Sequence, residues 1–172
     1  MSTTSTELNS IIGSGLDSDA DQFLTFILGT EEYGVDILRV QEIKGWDSVT
    51  PIPNTPEYIK GVINLRGIIV PIVDLRQRFS MPNIEYSPIT VVIVLKIECA
   101  DRDRIMGIVV DAVSDVYDVP PDEMKDAPDF GSVVDTEFVR GLATVDEKMI
   151  IILDIDHLLS GNEIKATDGL SA

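Results

Sequence analysis

A ten-residue pattern recurs in this chain. Gly34-Val35-Asp36-Ile37-Leu38-Arg39-Val40-Gln41-Glu42-Ile43 is echoed by Gly107-Ile108-Val109-Val110-Asp111-Ala112-Val113-Ser114-Asp115-Val116, at an offset of 73 residues from Gly34 to Gly107. The two agree in the leading glycine, the aliphatic positions and the acidic-aliphatic ending. A second pair follows in the same order, Tyr58-Ile59-Lys60-Gly61-Val62 and Phe138-Val139-Arg140-Gly141-Leu142, at an offset of 80 from Gly61 to Gly141. Each is followed by an aliphatic run ending in aspartate, Val70 to Asp74 and Ile150 to Asp154. Matches in one order at similar offsets point to a duplicated β unit, with Phe23 to Leu28 and Val91 to Leu95 as opening strands. Chance likeness among aliphatic strands is the alternative. Under duplication each half makes a small barrel of about five strands, a device that removes sheet edges, and the two bury a shared apolar seam.

The apolar runs are short, rich in Val and Ile, and punctuated by Gly, Pro and Asp, which suits strands rather than helices. Strands are expected at Gln22 to Leu28, Glu32 to Ile37, Gly61 to Leu65, Ile68 to Val73, Thr90 to Ile97, Arg104 to Val110 and Met149 to Asp154. Helical pattern is confined to a turn after Asp36, whose carboxylate caps it, a segment from Asp74 through Phe79, and a C-terminal helix over Asp156 to Ile164. Residues 1–20 are expected to form a disordered tail and residues 165–172 another. Between them lies a body over 21–164, made of two pseudo-repeated units near 21–88 and 89–154 with strands free to cross between them.

Of 172 residues, 13 are Lys or Arg and 30 are Asp or Glu, a formal charge of −17. That balance repels phosphate backbones and anionic lipid, so neither nucleic acid nor a bare membrane surface is expected as a partner. The apolar runs fall short of the ~18 to 20 residues that cross a bilayer, and the start lacks the basic and apolar regions of an export signal. The single cysteine, Cys99, cannot form an internal disulfide, which favours a reducing, cytoplasmic setting.

Catalytic ingredients are scarce. The only histidine, His157, and the only cysteine, Cys99, have no partner in sequence, so histidine or thiolate nucleophiles and zinc sites are not expected. No glycine loop cradles phosphate, and the Asp pairs, such as Asp17/Asp19 and Asp101/Asp103, read as solvated surface in so acidic a chain. No cofactor is expected.

Interaction surfaces carry more signal. The turn Asn64-Leu65-Arg66-Gly67 lies between two aliphatic strands, which puts Arg66 at a hairpin tip where its planar fork can pair with a carboxylate. Glu42 is the candidate partner, and the pair would shape a docking groove between the barrels; an ordinary exposed arginine is the alternative. Phe130, in the acidic loop Pro120 to Gly131, is either an interface anchor or packed back on its own surface. Trp46 reads as a cap on the core, and Pro51, Pro53 and Pro56 stiffen the link from Val49 to Tyr58.

The run Tyr33 to Ile43, the run Tyr58-Ile59-Lys60-Gly61-Val62-Ile63-Asn64-Leu65-Arg66-Gly67-Ile68-Ile69-Val70-Pro71-Ile72-Val73-Asp74-Leu75-Arg76, and the later segments Gly107 to Asp111, Val113 to Val116 and Phe138 to Leu142 together resemble bacterial chemotaxis coupling proteins of the CheW type. The likeness runs from about Gln22 to Leu159. It implies a mainly β fold of two SH3-like five-stranded barrel subdomains sharing an apolar core, with short helices and a C-terminal helix. It also implies a non-catalytic adaptor that joins methyl-accepting chemotaxis receptors to the regulatory domain of the histidine kinase CheA. Carried over by motif, the receptor-facing residues are Val40, Glu42, Arg66, Val91 and Val116. The kinase-facing residues are Ile37, Gly61, Lys125, Asp129 and Phe130. Two departures stand out: Glu98 to Arg104 is longer than usual, and Lys125 stands where Arg is expected, keeping the charge but losing the bidentate fork. A chain ending at Ala172 leaves no room for a fused receiver domain. The rival reading is a small-ligand-binding β-barrel, supported only by the aliphatic interior.

Overall fold

The computed structural model describes residues 21–79, 81, 84–98, 103–125 and 138–159. The architecture is mainly β with two subdomains, as expected. Among the described residues the strands are β1 (Asp21–Leu28), β2 (Glu31–Asp36), β3 (Val40–Gly45), β4 (Ile59–Leu65), β5 (Ile68–Asp74), β6 (Val91–Glu98), β7 (Asp103–Val110), β8 (Ala112–Val119), β9 (Met124–Lys125), β10 (Val139–Val145) and β11 (Lys148–Leu153). Two single-turn helices, α1 (Leu75–Arg78) and α2 (Ile155–Leu158), follow β5 and β11.

The strands form two sheets, ordered β8-β1-β2-β11-β10-β9 and β3-β6-β7-β5-β4. Each sheet therefore takes strands from both halves of the chain. Strands of the two halves meet at two antiparallel ladders, β1 with β8 and β3 with β6, and at two parallel ones, β2 with β11 through Tyr33↔Ile151 and Gly34↔Ile152, and β7 with β5 through Gly107↔Ile72 and Ile108↔Val73. Gly34 and Gly107, the glycines that open the sequence repeat, sit at equivalent points. A Cβ on either would fall 2.9 Å from Ile152 Cδ1 or 2.7 Å from Ile72 Cδ1, so the glycine lets the exchanged strand approach.

The two sheets are pseudo-equivalent but are not the closed five-stranded barrels expected: one has six strands, and neither ladder closes on itself. The reason lies in how little pairing spans each gap. In the five-stranded sheet the chain leaves β3 at one edge and, at Thr50, exchanges two backbone hydrogen bonds of 2.9 Å with Val62 of β4 at the other. In the six-stranded sheet the chain leaves β8 and reaches β10 only through the two residues of β9. A bent connection carries the chain across both gaps.

Three apolar clusters result. The largest lies between the sheets and draws on both, including Leu24, Phe26, Tyr33, Ile93, Leu95 and Ile108. A smaller one fills the six-stranded sheet around Phe23, Ile150 and Ile152. The third fills the five-stranded sheet around Val70, Ile72 and Val94, with Trp46 packed against it as the expected cap. The central strands β6 and β7 read as nearly continuous aliphatic residues because both of their faces are buried.

Local chemistry matches the sequence reading at the caps. The Asp36 carboxylate accepts from Leu38 N and starts a 3₁₀ turn over Ile37–Arg39; Asp74 accepts from Arg76 N and Asp154 from His157 N at the heads of α1 and α2. Strands β3, β8, β9 and β10 were not expected. In β8 the sequence AVSDVYDV has its aliphatic residues interrupted by Ser114, Asp115 and Asp118 at a sheet edge, a weaker signal than an aliphatic run. The C-terminal helix expected over Asp156 to Ile164 is a single turn, Ile155 to Leu158, closed by Leu159 as its C-cap; residues 160–164 lie outside the described residues, as do Cys99 and both tails.

Gly61 shows how tightly the gap is held. Its φ is +145°, and a Cβ there would fall 2.2 Å from the Thr50 carbonyl oxygen. Gly45, by contrast, has nothing within 4 Å of that position. Gly61→Ala is expected to cost on the order of 2 to 3 kcal/mol in urea unfolding, while Gly45→Ala stays within about 0.5 kcal/mol of the parent. Equal midpoints for the two variants would contradict the close packing of Thr50 on β4.

Candidate functional site

The β4–β5 hairpin closes at Leu65↔Ile68, leaving Arg66 and Gly67 as its two-residue turn. Both have positive φ, +54° and +88°, the pattern of the primed turns that match strand twist. The Asn64 side-chain oxygen accepts from Gly67 N at 2.9 Å and locks the turn. A left-handed arginine costs of order 1 kcal/mol or more, so the turn holds Arg66 in a fixed, unfavourable conformation at a solvent-facing tip.

Arg66 Nη2 donates to Glu42 Oε1 at 2.9 Å, the pairing expected from sequence. The arginine side chain is 78% exposed and the glutamate 23%. An ion pair this open is worth under about 1 kcal/mol, so it serves orientation more than stability. The other Glu42 oxygen, Oε2, is buried without a hydrogen-bond partner.

The three valines of the receptor-facing set come from three strands. Val40 opens β3 opposite Leu95, Val91 opens β6 opposite Gly45, and Val116 lies in β8 opposite Leu24. All three belong to the cluster between the sheets, Val40 buried in it and Val91 and Val116 half-buried against it. The set thus borders the shared core at separate points, Val40 and Val91 at opposite ends of the β3–β6 ladder and Val116 in the other sheet, with the ion pair at the β4–β5 turn.

The kinase-facing set is more dispersed. Ile37 is 3% exposed and packed in the shared core. Gly61 lies in β4 of one sheet, while Lys125, exposed in β9 opposite Leu142, belongs to the other. Asp129 and Phe130 lie outside the described residues. Leu38, missed by the sequence reading, is the exposed apolar residue of the Ile37–Arg39 turn, at 67%. Its signal was the Asp36 cap: a capped 3₁₀ turn that turns Ile37 inward leaves its neighbour outward.

Two ionic clusters were also missed. Arg76 is 2% exposed. It donates to Asp74 through Nε at 3.0 Å and Nη2 at 2.9 Å, to Asp111 through Nη1 at 2.8 Å, and to the Glu85 carbonyl. Tyr86 OH donates to Asp74 at 2.7 Å, its ring 4.8 Å from the guanidinium. Burial, the largest influence on Arg76, pulls its pKa down, but the hydrogen bonds and charges of Asp74 and Asp111 outweigh it and hold the net shift upward. Burial, then the bond to Asp74, likewise pushes the Tyr86 phenol up. The second cluster joins Arg39 to Asp156 by two bonds of 2.8 Å.

Among the described residues no group of three His, Cys, Asp or Glu could hold a metal, and no helix is long and apolar enough to cross a membrane. His157 lies tilted against Phe138, with ring centroids 5.6 Å apart and ring planes at 55°. A cavity of about 250 Å³ opens beside the Thr50 bridge, lined by Lys44, Asp47, Ser48 and Asn64 among others. Ligand pockets are usually larger and mostly apolar, and the interior of each sheet is filled by side chains.

Comparison with known proteins agrees with this geometry. The family described as CheW-like domain matches residues 22–163. The chemotaxis protein CheW of Klebsiella aerogenes is 49% identical over 150 residues, covering 87% of this chain and 88% of that protein. The chemotaxis protein CheW of Rhizobium meliloti is 35% identical over 151 residues, covering 88% and 95%. The crystal structure of the scaffolding protein TtCheW from Thermoanaerobacter tengcongensis superposes with a TM-score of 0.74 at 37% identity, covering 84% of this chain and 95% of that one.

The two arginines are expected to behave oppositely. Arg76→Met strands Asp74 and Asp111 without their partner and should cost about 3 to 5 kcal/mol in urea unfolding, whereas Arg66→Met should cost less than about 1 kcal/mol. An Arg76 variant as stable as the Arg66 variant would show that the buried cluster does not hold the sheets.

Proposed function

This chain belongs to the CheW-like family, and from that premise we propose that it couples chemoreceptor tips to the histidine kinase CheA. It is a chemotaxis scaffold of the CheW type, not an enzyme. The observation that carries the finer reading is the Arg66–Glu42 pair, 2.9 Å long, presented at a strained hairpin tip while Val40, Val91 and Val116 border the shared core.

A receptor tip is a helical hairpin, and an amphipathic helix needs an apolar strip with polar groups that fix its register. Half-buried Val91 and Val116 supply the first, with Val40 packed in the core beneath, and Arg66 and Glu42 supply the second. The CheA regulatory domain is read onto the face of Ile37, Gly61, Lys125, Asp129 and Phe130; since the Ile37 side chain is buried, the apolar contact from its turn falls to Leu38. With the two partners on separate surfaces, a small receptor shift changes kinase output by altering how the surfaces stand to one another, a coupling free energy in the allosteric sense. The protein then works in the cytoplasm, recruited to receptor arrays at the inner face of the membrane. The ligand-barrel alternative gains no support from a small polar cavity beside filled interiors.

Isothermal titration against the CheA regulatory domain and against a receptor signalling-tip fragment tests the reading. Saturable binding to both is expected, with Phe130→Ala weakening only the kinase and Arg66→Glu weakening only the receptor, each about tenfold or more, at unchanged circular dichroism. No binding to either partner would overturn it; binding insensitive to both substitutions would move the surfaces elsewhere.

A further inference from the structure

The segment from Asp36 to Glu42 carries, within seven residues, Ile37 and Leu38 of the kinase-facing turn and Val40 and Glu42 of the receptor-facing set. Its ladder is broken along the way: between Val40 and Glu42 the pairing of β3 with β6 shifts register, as at a bulge. A bulge leaves a residue unpaired and bends its strand, so the ladder alone does not make this segment stiff.

Just before the break stands Arg39, the last residue of the 3₁₀ turn. Its guanidinium grips Asp156 of α2 with Nη1 to Oδ1 and Nη2 to Oδ2, both at 2.8 Å. Nη1 also donates to the Lys96 carbonyl at 3.2 Å, and Nη2 lies 3.2 Å from Glu98 Oε2, both in β6. Asp156 Oδ1 accepts from Glu98 N at 2.8 Å as well, so the same carboxylate holds the end of β6. Arginine side chain and aspartate are 21% and 32% exposed. The planar, bidentate pair fixes direction as well as distance, and it does so for three elements at once.

We propose that Arg39 is a positioning residue for signal transfer: its clamp on Asp156 makes the Asp36–Glu42 segment move as one piece, so that a displacement at Val40 and Glu42 reaches the turn of Ile37 and Leu38. The inference rests on the two-partner reading above and adds the element that links its two surfaces. Arg39 itself touches neither partner. The clamp is strongest as a fork, so a point charge in its place retains less than the whole effect.

The test uses the full chain in a reconstituted mixture of receptor, CheA and adaptor, with three readouts: binding of each partner by titration, unfolding midpoint, and the ratio of kinase activity without and with attractant. For Arg39→Gln, binding of each partner stays near the parent's while the activity ratio falls about fivefold or more, within the range of allosteric couplings. Arg39→Lys falls between the two, and Asp156→Asn reproduces Arg39→Gln. Unchanged ratios in all three variants would overturn the clamp while leaving the adaptor reading intact. Ratios that fall only in proportion to lost binding or lost stability would reduce Arg39 to a structural role and overturn it too. Failure of the parent protein to bind or couple would overturn the adaptor reading and this inference together.

Discussion

Neither sheet of this protein can be completed from one half of its chain. The parallel ladders of β2 with β11 and of β7 with β5 stitch each opening hairpin onto the other half's closing hairpin. The remaining features follow from that exchange. The largest apolar cluster has to lie between the sheets, because the strands that cross bring their aliphatic faces with them. The chain must then bridge both sheet gaps with short bent connections, one through Thr50 and one through Met124–Lys125. Parallel pairing needs long crossovers and forms slowly because its contacts are distant in sequence. Here the distance is the length of a repeat, so the fold requires both halves present before either is stable.

The exchange also explains where the ionic clusters sit. Arg76 and Asp156 are each the second residue of the helix that follows an exchanged strand, β5 or β11, and they stand 80 residues apart, the offset of the repeat. Their partners, Asp111 and Arg39, stand just beyond β7 and β2. The two ion pairs therefore occupy related positions with the signs reversed: cation on the helix in one, anion on the helix in the other. The Arg76 pair is the more deeply buried, and Asp111 extends it across the sheets, its Oδ2 accepting from Gly29 N in the β1–β2 turn at 2.7 Å. The Arg39 pair is more open and lies beside the segment that carries both proposed docking surfaces. One cluster fastens the sheets; its counterpart is placed where docking is read.

Much of this was legible in the residues. The repeat predicted two related β units with a shared core because glycine, aliphatic and aspartate positions survive where geometry demands them, at Gly34 and Gly107 for close approach and at Asp74 and Asp154 for capping. The Arg66–Glu42 pair was legible because a two-residue turn leaves its arginine little choice of direction. The edge strands β3 and β8 were not, since polar residues interrupt both VQEIKG and AVSDVYDV and leave no aliphatic run. The ionic clusters were illegible for a different reason. In a chain with 30 acidic residues, an aspartate that pairs a buried arginine looks like the many that face water, and only the fold separates them. Leu38 escaped notice because inward and outward positions in a single 3₁₀ turn depend on the cap and the core together.

The most direct test of the interlocked account is equilibrium unfolding in urea followed by two probes. Trp46, the single tryptophan, packs against the cluster inside the five-stranded sheet and reports that sheet by fluorescence; far-UV circular dichroism reports both. Because each sheet depends on strands from both halves, the two curves should superimpose as one transition, with the same midpoint and slope. A tryptophan transition separated from a second circular dichroism step would mean that one sheet persists without the other, and would contradict the exchange as the basis of stability.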